Sequence, residues 1–173
     1  MCTAISWQQY FGRTLDLEYS YEETVTITPR RFPLPFRRMP ALERHYAMIG
    51  MAYVAEGYPL YYDAVNEKGL AMAGLNFPGN TVYRAEQAIG ENIASFELIP
   101  WLLRQCATVA EAQARLAGLN LADFPFSDAL PPSPLHWILS DEARSLTIEA
   151  TADGLQIYEN PVGVLTNNPP FPM

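Results

Sequence analysis

Apolar residues come in short runs toward the two ends of the chain and take a helical spacing only in the middle. Residues 3–7 and 11–17 read as a strand pair joined near Gly12, and 25–28, β-branched and closed by Pro29, as a third strand. Segment 30–40 holds four arginines and three prolines and reads as an exposed loop. Residues 46–54 and 70–75 are strand-like, and Asn66-Glu67-Lys68-Gly69 makes a turn between 62–65 and 70–73. Ser95 then caps a helix that carries Phe96, Ile99, Leu102 and Leu103 on one side, with Pro100 tolerable just after its first turn. Thr108-Val-Ala-Glu111 is a capping box opening a second helix through about Leu116, which Gly118 stops. Past the Pro-rich bend at 131–134, strands resume at 135–140, 145–150, 155–158 and 162–166. Strands, then helices, then strands predict a layered α+β fold. The last strand leads directly into Asn167-Asn168-Pro169-Pro170, so an edge and an apolar sheet face are expected to need a cover. That pattern reads as half of a larger fold.

Composition narrows the class. The 173 residues suffice for one domain, 1–173, expected to be incomplete, and 49% hydrophobic with 17% charged residues is a globular balance. No apolar run is long enough to span a bilayer, and the first residues lack the pattern of a secretion signal. Two cysteines, Cys2 and Cys106, are too few for a disulfide scaffold, so a reducing cytoplasm is expected. A net charge of −8 disfavours nucleic acid and anionic membrane as partners. His45 and His136 are far apart, with no Cys-x-x-Cys or His-x-x-x-His spacing, so no metal is expected. Without a Gly-x-Gly-x-x-Gly or phosphate-binding loop, no nucleotide cofactor is expected either.

The candidate chemistry sits at position 2. Cysteine is small enough for methionine aminopeptidase to remove Met1, which would leave a thiol and a free α-amine on one residue. The amine titrates at roughly 7.7–8.0 and the thiol near 8.5. The amine can therefore take the thiol proton, making Cys2 both nucleophile and base. By itself a Met-Cys start is more often a small buried hydrophobe.

The surrounding segments raise it above that. Met1-Cys2-Thr3-Ala4-Ile5, Gly12-Arg13-Thr14-Leu15-Asp16 and Asn66 through Gly79 resemble the choloylglycine hydrolase family, the N-terminal-nucleophile amidases that include bile salt hydrolases and penicillin V acylases. Phe96-Glu97-Leu98-Ile99-Pro100-Trp101, Leu135-His136-Trp137 and Gly163 through Pro169 add to the match, in the family's order. The resemblance covers essentially all of this chain but only the family's first half.

It implies an αββα sandwich with Cys2 at the end of a strand as nucleophile and its α-amine as general base. Arg13 and Asp16 match the family's Arg and Asp beside that cysteine; read without the resemblance, they are a surface ion pair. A guanidinium near sulfur favours thiolate, and a carboxylate can hold and orient the α-ammonium. Asn76 (backbone N–H) and Asn167 (side-chain amide) match the oxyanion-hole positions, with Asn168 as the neighbouring alternative to Asn167. Both asparagines also read as turn residues. A further active-site arginine of the family has no equivalent here, and a Cys2 whose α-amine stays bonded to Met1 has no base.

The implied substrate is the amide joining glycine or taurine to a bile acid, opened through a thioester acyl-enzyme. Asn76 resembles the bile salt branch. The alternative is a penicillin V or N-acyl-homoserine lactone acylase on the same machinery. A steroid needs an apolar wall, for which Phe11, Leu17, Tyr19, Tyr58, Leu60 and Phe77 are candidates; each is equally readable as ordinary packing. A full-length member is expected to be a homo-oligomer. A reading of another class is a non-catalytic piece that associates with a missing half or with itself.

Overall fold

The computed structural model describes residues 1–172. In chain order it runs β1 (Thr3–Trp7), β2 (Tyr10–Thr14), β3 (Thr24–Thr28), β4 (Met48–Ala55), β5 (Tyr58–Asn66), β6 (Ala71–Asn76) and β7 (Asn92–Ala94). A 3-10 turn at Ser95–Glu97 leads into α1 (Leu98–Leu103), followed by α2 (Val109–Leu116) and β8 (Asn120–Ala122). Strands β9 (Leu135–Ser140), β10 (Ser145–Thr151), β11 (Gly154–Glu159) and β12 (Val164–Thr166) complete it.

Two antiparallel sheets form the body. One has three strands in the order β12-β1-β2, the other seven in the order β11-β10-β9-β6-β5-β4-β3. Strands β6, β9 and β10 are almost wholly buried on both faces; β6 and most of β9 are accordingly apolar, while β10 alternates and buries Ser145, Thr147 and Glu149 on one face. Alternation along the backbone splits their side chains between two cores. Met72, Trp137, Leu139, Leu146 and Ile148 pack with Leu98, Trp101, Leu102, Val109 and Leu116 of the helices. On the reverse face Ala73, Leu75 and Ile138 pack with Cys2, Ala4 and Leu165 of the small sheet. Helices, large sheet and small sheet are thus stacked in that order, three of the four layers expected. Val25 and Ile27 on β3, and Ile49 and Val65 at the margin of the small sheet, are exposed. Among the described residues no helix is long and apolar enough to cross a membrane.

Several local expectations are corrected. The first hairpin turns at Gln8 and Gln9, not near Gly12: Trp7 pairs with Tyr10, their rings stack at 6.4 Å, and Gly12 lies inside β2 opposite Ile5. Gln8 takes the left-handed conformation there, at φ 54°. Ser95 does not cap α1. The Glu97 carboxylate takes the Ala94 N–H at 3.0 Å and the Arg37 N–H at 2.6 Å, and the first turn is 3-10. Segment 30–40 carries no regular structure, yet it is not simply exposed. Leu34 and Phe36 are buried, and Arg104 at the end of α1 donates to the carbonyls of Phe32 and Leu34. Helix α2 begins as expected, with Thr108 Oγ1 accepting from the Glu111 N–H at 3.2 Å; the Glu111 carboxylate reaches past Thr108 to the Ala107 N–H.

Candidate active site

The site forms where β5 and β6 part company. Their pairing ends at Asp63 opposite Ala73. Just there β5 carries an extra residue, since Met51 pairs with Asp63 while Ala52 pairs with Tyr61, leaving Tyr62 bulged. A bulge frees backbone groups from the ladder. Arg13 takes them: its Nη1 donates to the Tyr62 carbonyl at 3.2 Å and to the Gly74 carbonyl at 2.9 Å. Its side chain is only 5% exposed, and its carboxylate neighbour is Asp63, with Nε–Oδ2 at 3.9 Å. Burial pushes the Asp63 carboxyl up, opposed by the Met51 N–H and by Arg13. Asp63 is not among the residues expected from sequence; a lone carboxylate inside an apolar strand was the available signal. The Arg13–Asp16 ion pair is not formed. Arg13 points inward between the sheets while Asp16 faces out.

Cys2 directly precedes β1 and is 7% exposed, within the core shared by Ala4, Leu75 and Leu165. Its backbone N–H donates to Asn167 Oδ1 at 2.6 Å. The other end of that carboxamide donates from Nδ2 to the Asn76 carbonyl at 2.7 Å. These two partners fix the orientation of the amide, because a flip would set N–H against N–H and oxygen against oxygen. Each Nδ2 carries two hydrogens, so one remains for an incoming group. Asn168 turns elsewhere, accepting from Asn80 Nδ2 at 2.7 Å, so Asn167 is the member of the pair that meets Cys2.

The direction of Asn76 follows from the ladder. Phe77 N donates to Pro134 O at 2.8 Å, so the next pair, Asn76 opposite Leu135, is a non-hydrogen-bonded one. The N–H and C=O of Asn76 therefore leave β6 on the side away from β9, into the gap where β5 has diverged. The carbonyl meets Asn167 on that side, and the N–H emerges beside it. Asp16, with its side chain 52% exposed, stands 3.4 Å from the amino group of Met1 and 3.4 Å from Thr14 Oγ1.

The candidate wall residues scatter. Phe11 packs against the Cys2 cluster and lines a cavity of about 300 Å³ together with Arg13, Asp63 and Ile49. Leu17 is half-buried in the loop after β2, and Leu60 is half-buried opposite Tyr53 on β4. Tyr19 is exposed and packs against Tyr21, centroids 4.7 Å apart and rings tilted by 44°. Tyr58 packs with Phe96 and Phe126, at 5.9 and 5.6 Å, and burial pushes its hydroxyl above the usual range. Phe77 is fully buried, so it offers a ligand no surface. A cavity of about 370 Å³ lies among Arg30, Arg44, His45, Lys68 and Arg104, near the start of β6 and away from Asn76 at its end. It contains none of the expected site residues. Cys106 is buried too, but burial raises its thiol to about 11, which leaves it a packing residue.

Known proteins are similar to this chain in sequence and fold. The family model for linear amide C–N hydrolases, choloylglycine hydrolase family, matches residues 2–173. A bile salt hydrolase/transferase of Lactiplantibacillus plantarum is 55% identical over 174 residues, which is 99% of this chain and 54% of that protein. A mutant conjugated bile acid hydrolase of Clostridium perfringens superposes with a TM-score of 0.92 at 34% identity, covering 99% of this chain and 55% of the other. A penicillin V acylase of Agrobacterium tumefaciens gives 0.76 at 19% identity over 99% of this chain and 54% of that one, a likeness of fold alone. The chain spans about half the length of the curated relatives it matches. With a family match over residues 2–173 and a relative 55% identical over nearly the whole chain, the chain belongs to the choloylglycine hydrolase family.

Proposed function

We propose that Cys2, freed of Met1, is the nucleophile of an amidase that hydrolyses the amide between a bile acid and glycine or taurine. One observation carries this reading: the unbroken line from Cys2 N through the Asn167 carboxamide to the Asn76 backbone, two bonds of 2.6 and 2.7 Å. The substrate class comes from the 55%-identical relative, named a bile salt hydrolase/transferase.

Removal of Met1 turns Cys2 N from an amide into an amine at the same place, held through Asn167 Oδ1. The carboxylate of Asp16, which faces the Met1 amine, can follow the ammonium. The amine takes the Sγ proton and the thiolate attacks the amide carbon. Charge developing on the carbonyl oxygen is met by the Asn76 N–H and the second Asn167 N–H. The amine then passes its proton to the leaving nitrogen, which departs as glycine or taurine and leaves a thioester on Sγ. Water, deprotonated by the same amine, opens the thioester to the free bile acid. An amine in place of water would open the same thioester to a new amide. The cytoplasm is the proposed compartment.

The test is side-by-side hydrolysis of glycocholate, taurocholate and penicillin V by protein whose intact mass shows Met1 removed. The bile salts are expected to be cleaved faster. A penicillin rate far above both overturns the substrate assignment. No cleavage of any of the three overturns the amidase reading for this chain. A second reading is favoured by the exposed Val25, Ile27, Ile49 and Val65: these apolar side chains suit association with another polypeptide or a second copy. Sedimentation of a strict monomer over a wide concentration range would remove self-association.

A further inference from the structure

A buried ionisable pair lies between the sheets, outside every role assigned above. His136 on β9 faces Glu149 on β10 in register, and Nδ1 and Oε1 are 3.1 Å apart. Both side chains are essentially without exposed surface. His136 Nε2 and Glu149 Oε2 have no protein partner, so the pair is incompletely satisfied. Apolar residues of similar shape are often at least as stable in such a place, so stability alone is a poor reason for the pair.

Its contacts supply a better one. The His136 ring stacks on Phe77 with centroids 4.1 Å apart and planes 6° from parallel. Phe77 directly follows Asn76. Glu149 Oε1, besides meeting His136, accepts the Phe171 N–H at 3.0 Å. Phe171 lies four residues after Asn167, and it packs on the core that contains Cys2. One pair thus grips both segments that present the donors, Asn76 through Phe77 and Asn167 through Phe171.

We propose that His136 and Glu149 are positioning residues that fix the Asn76 N–H and the Asn167 carboxamide relative to Cys2 Sγ. The inference rests on the amidase reading for its kinetic consequence, though not for its structural one. Misplacement of a reacting group by about 1 Å can cost on the order of 10²-fold in rate. The double variant His136→Phe/Glu149→Leu fills the site with apolar groups. It is expected to melt no lower than the parent by more than a few degrees, yet to lose about 10–100-fold in kcat on glycocholate with little change in KM. Cys2 alkylation by iodoacetamide should persist. A folded double variant with parental kcat overturns the proposal.

Should that variant fail to fold, Glu149→Gln keeps an acceptor for Phe171 and decides the matter by NMR. The side-chain amide of Asn167, assigned by its loss in Asn167→Asp, and the Asn76 and Phe77 amides should shift by more than a line width. Unmoved resonances in Glu149→Gln overturn the proposal. A parent chain that cleaves no amide while these resonances do move sinks the amidase reading and leaves the positioning role standing.

Discussion

Asn167 uses both ends of one carboxamide, and that sets what its replacement does. Asn167→Asp keeps an acceptor for Cys2 N but turns an oxygen toward the Asn76 carbonyl, where Nδ2 now donates at 2.7 Å. We expect Asn167→Asp to lose at least as much kcat as Asn167→Ala, each falling by about 10²–10³ as one oxyanion donor goes. Initial rates on glycocholate measure it; Asp retaining activity that Ala lacks would show that Oδ1 alone matters. At this scale the sequence displays cysteine behind methionine and asparagines at strand ends, residue types whose chemistry is local. It does not display that Arg13 meets Asp63 instead of Asp16, because that depends on a bulge placing Tyr62 and Asp63. Nor does it display that Phe77 is sealed under His136, since an aromatic after a turn-like asparagine looks the same whether it faces in or out.

The strands were legible where apolar runs are bounded by clear turns, as on both sides of Asn66–Gly69 and from β9 through β12. They were not legible at β7 and β8, three residues each, which pair in parallel across the helical region and so leave no local periodicity. Gly12 reads as a turn only because glycine is frequent in turns. Two glycines, Gly12 inside β2 and Gly163 just before β12, separate the cases experimentally. A Cβ on Gly12 meets nothing within 4 Å, and Gly12→Ala should change stability by no more than about 0.5 kcal/mol. Gly163 has φ +68°, its carbonyl accepts from Ser6 N at 2.7 Å, and a Cβ there would stand 2.3 Å from the Ser6 carbonyl oxygen. Gly163→Ala should cost about 1–3 kcal/mol or more and displace β12, which leads into Asn167. Urea titration of the two variants checks the contrast, and equal midpoints would refute it.

Across the whole molecule, the irregular chain between β3 and β4 is tied to the layered core at the turn between β5 and β6. Glu67 is the tie: it accepts from Arg30 Nε at 2.8 and 2.9 Å and from the Ala47 N–H at 2.8 Å. Arg30 first, then the Ala47 N–H, hold its carboxyl down at about 2, against an ordinary 4.5. A carboxyl depressed in the folded state contributes stability that is fully present above about 4.5 and is lost as pH falls toward about 2. Asp63 and Glu97 act in the opposite sense: burial raises both, so acidification through the carboxylate range relieves their cost. A melt of the parent alone therefore mixes the two effects, and Glu67→Gln isolates one. The difference in Tm between parent and Glu67→Gln should be largest near neutral pH and shrink steadily between about 4.5 and about 2. It should also narrow in high salt, because Arg30 is largely exposed and its field is screened. A difference that stays constant from pH 7 to pH 2 would mean the glutamate acts through its shape and neutral hydrogen bonds, not its charge.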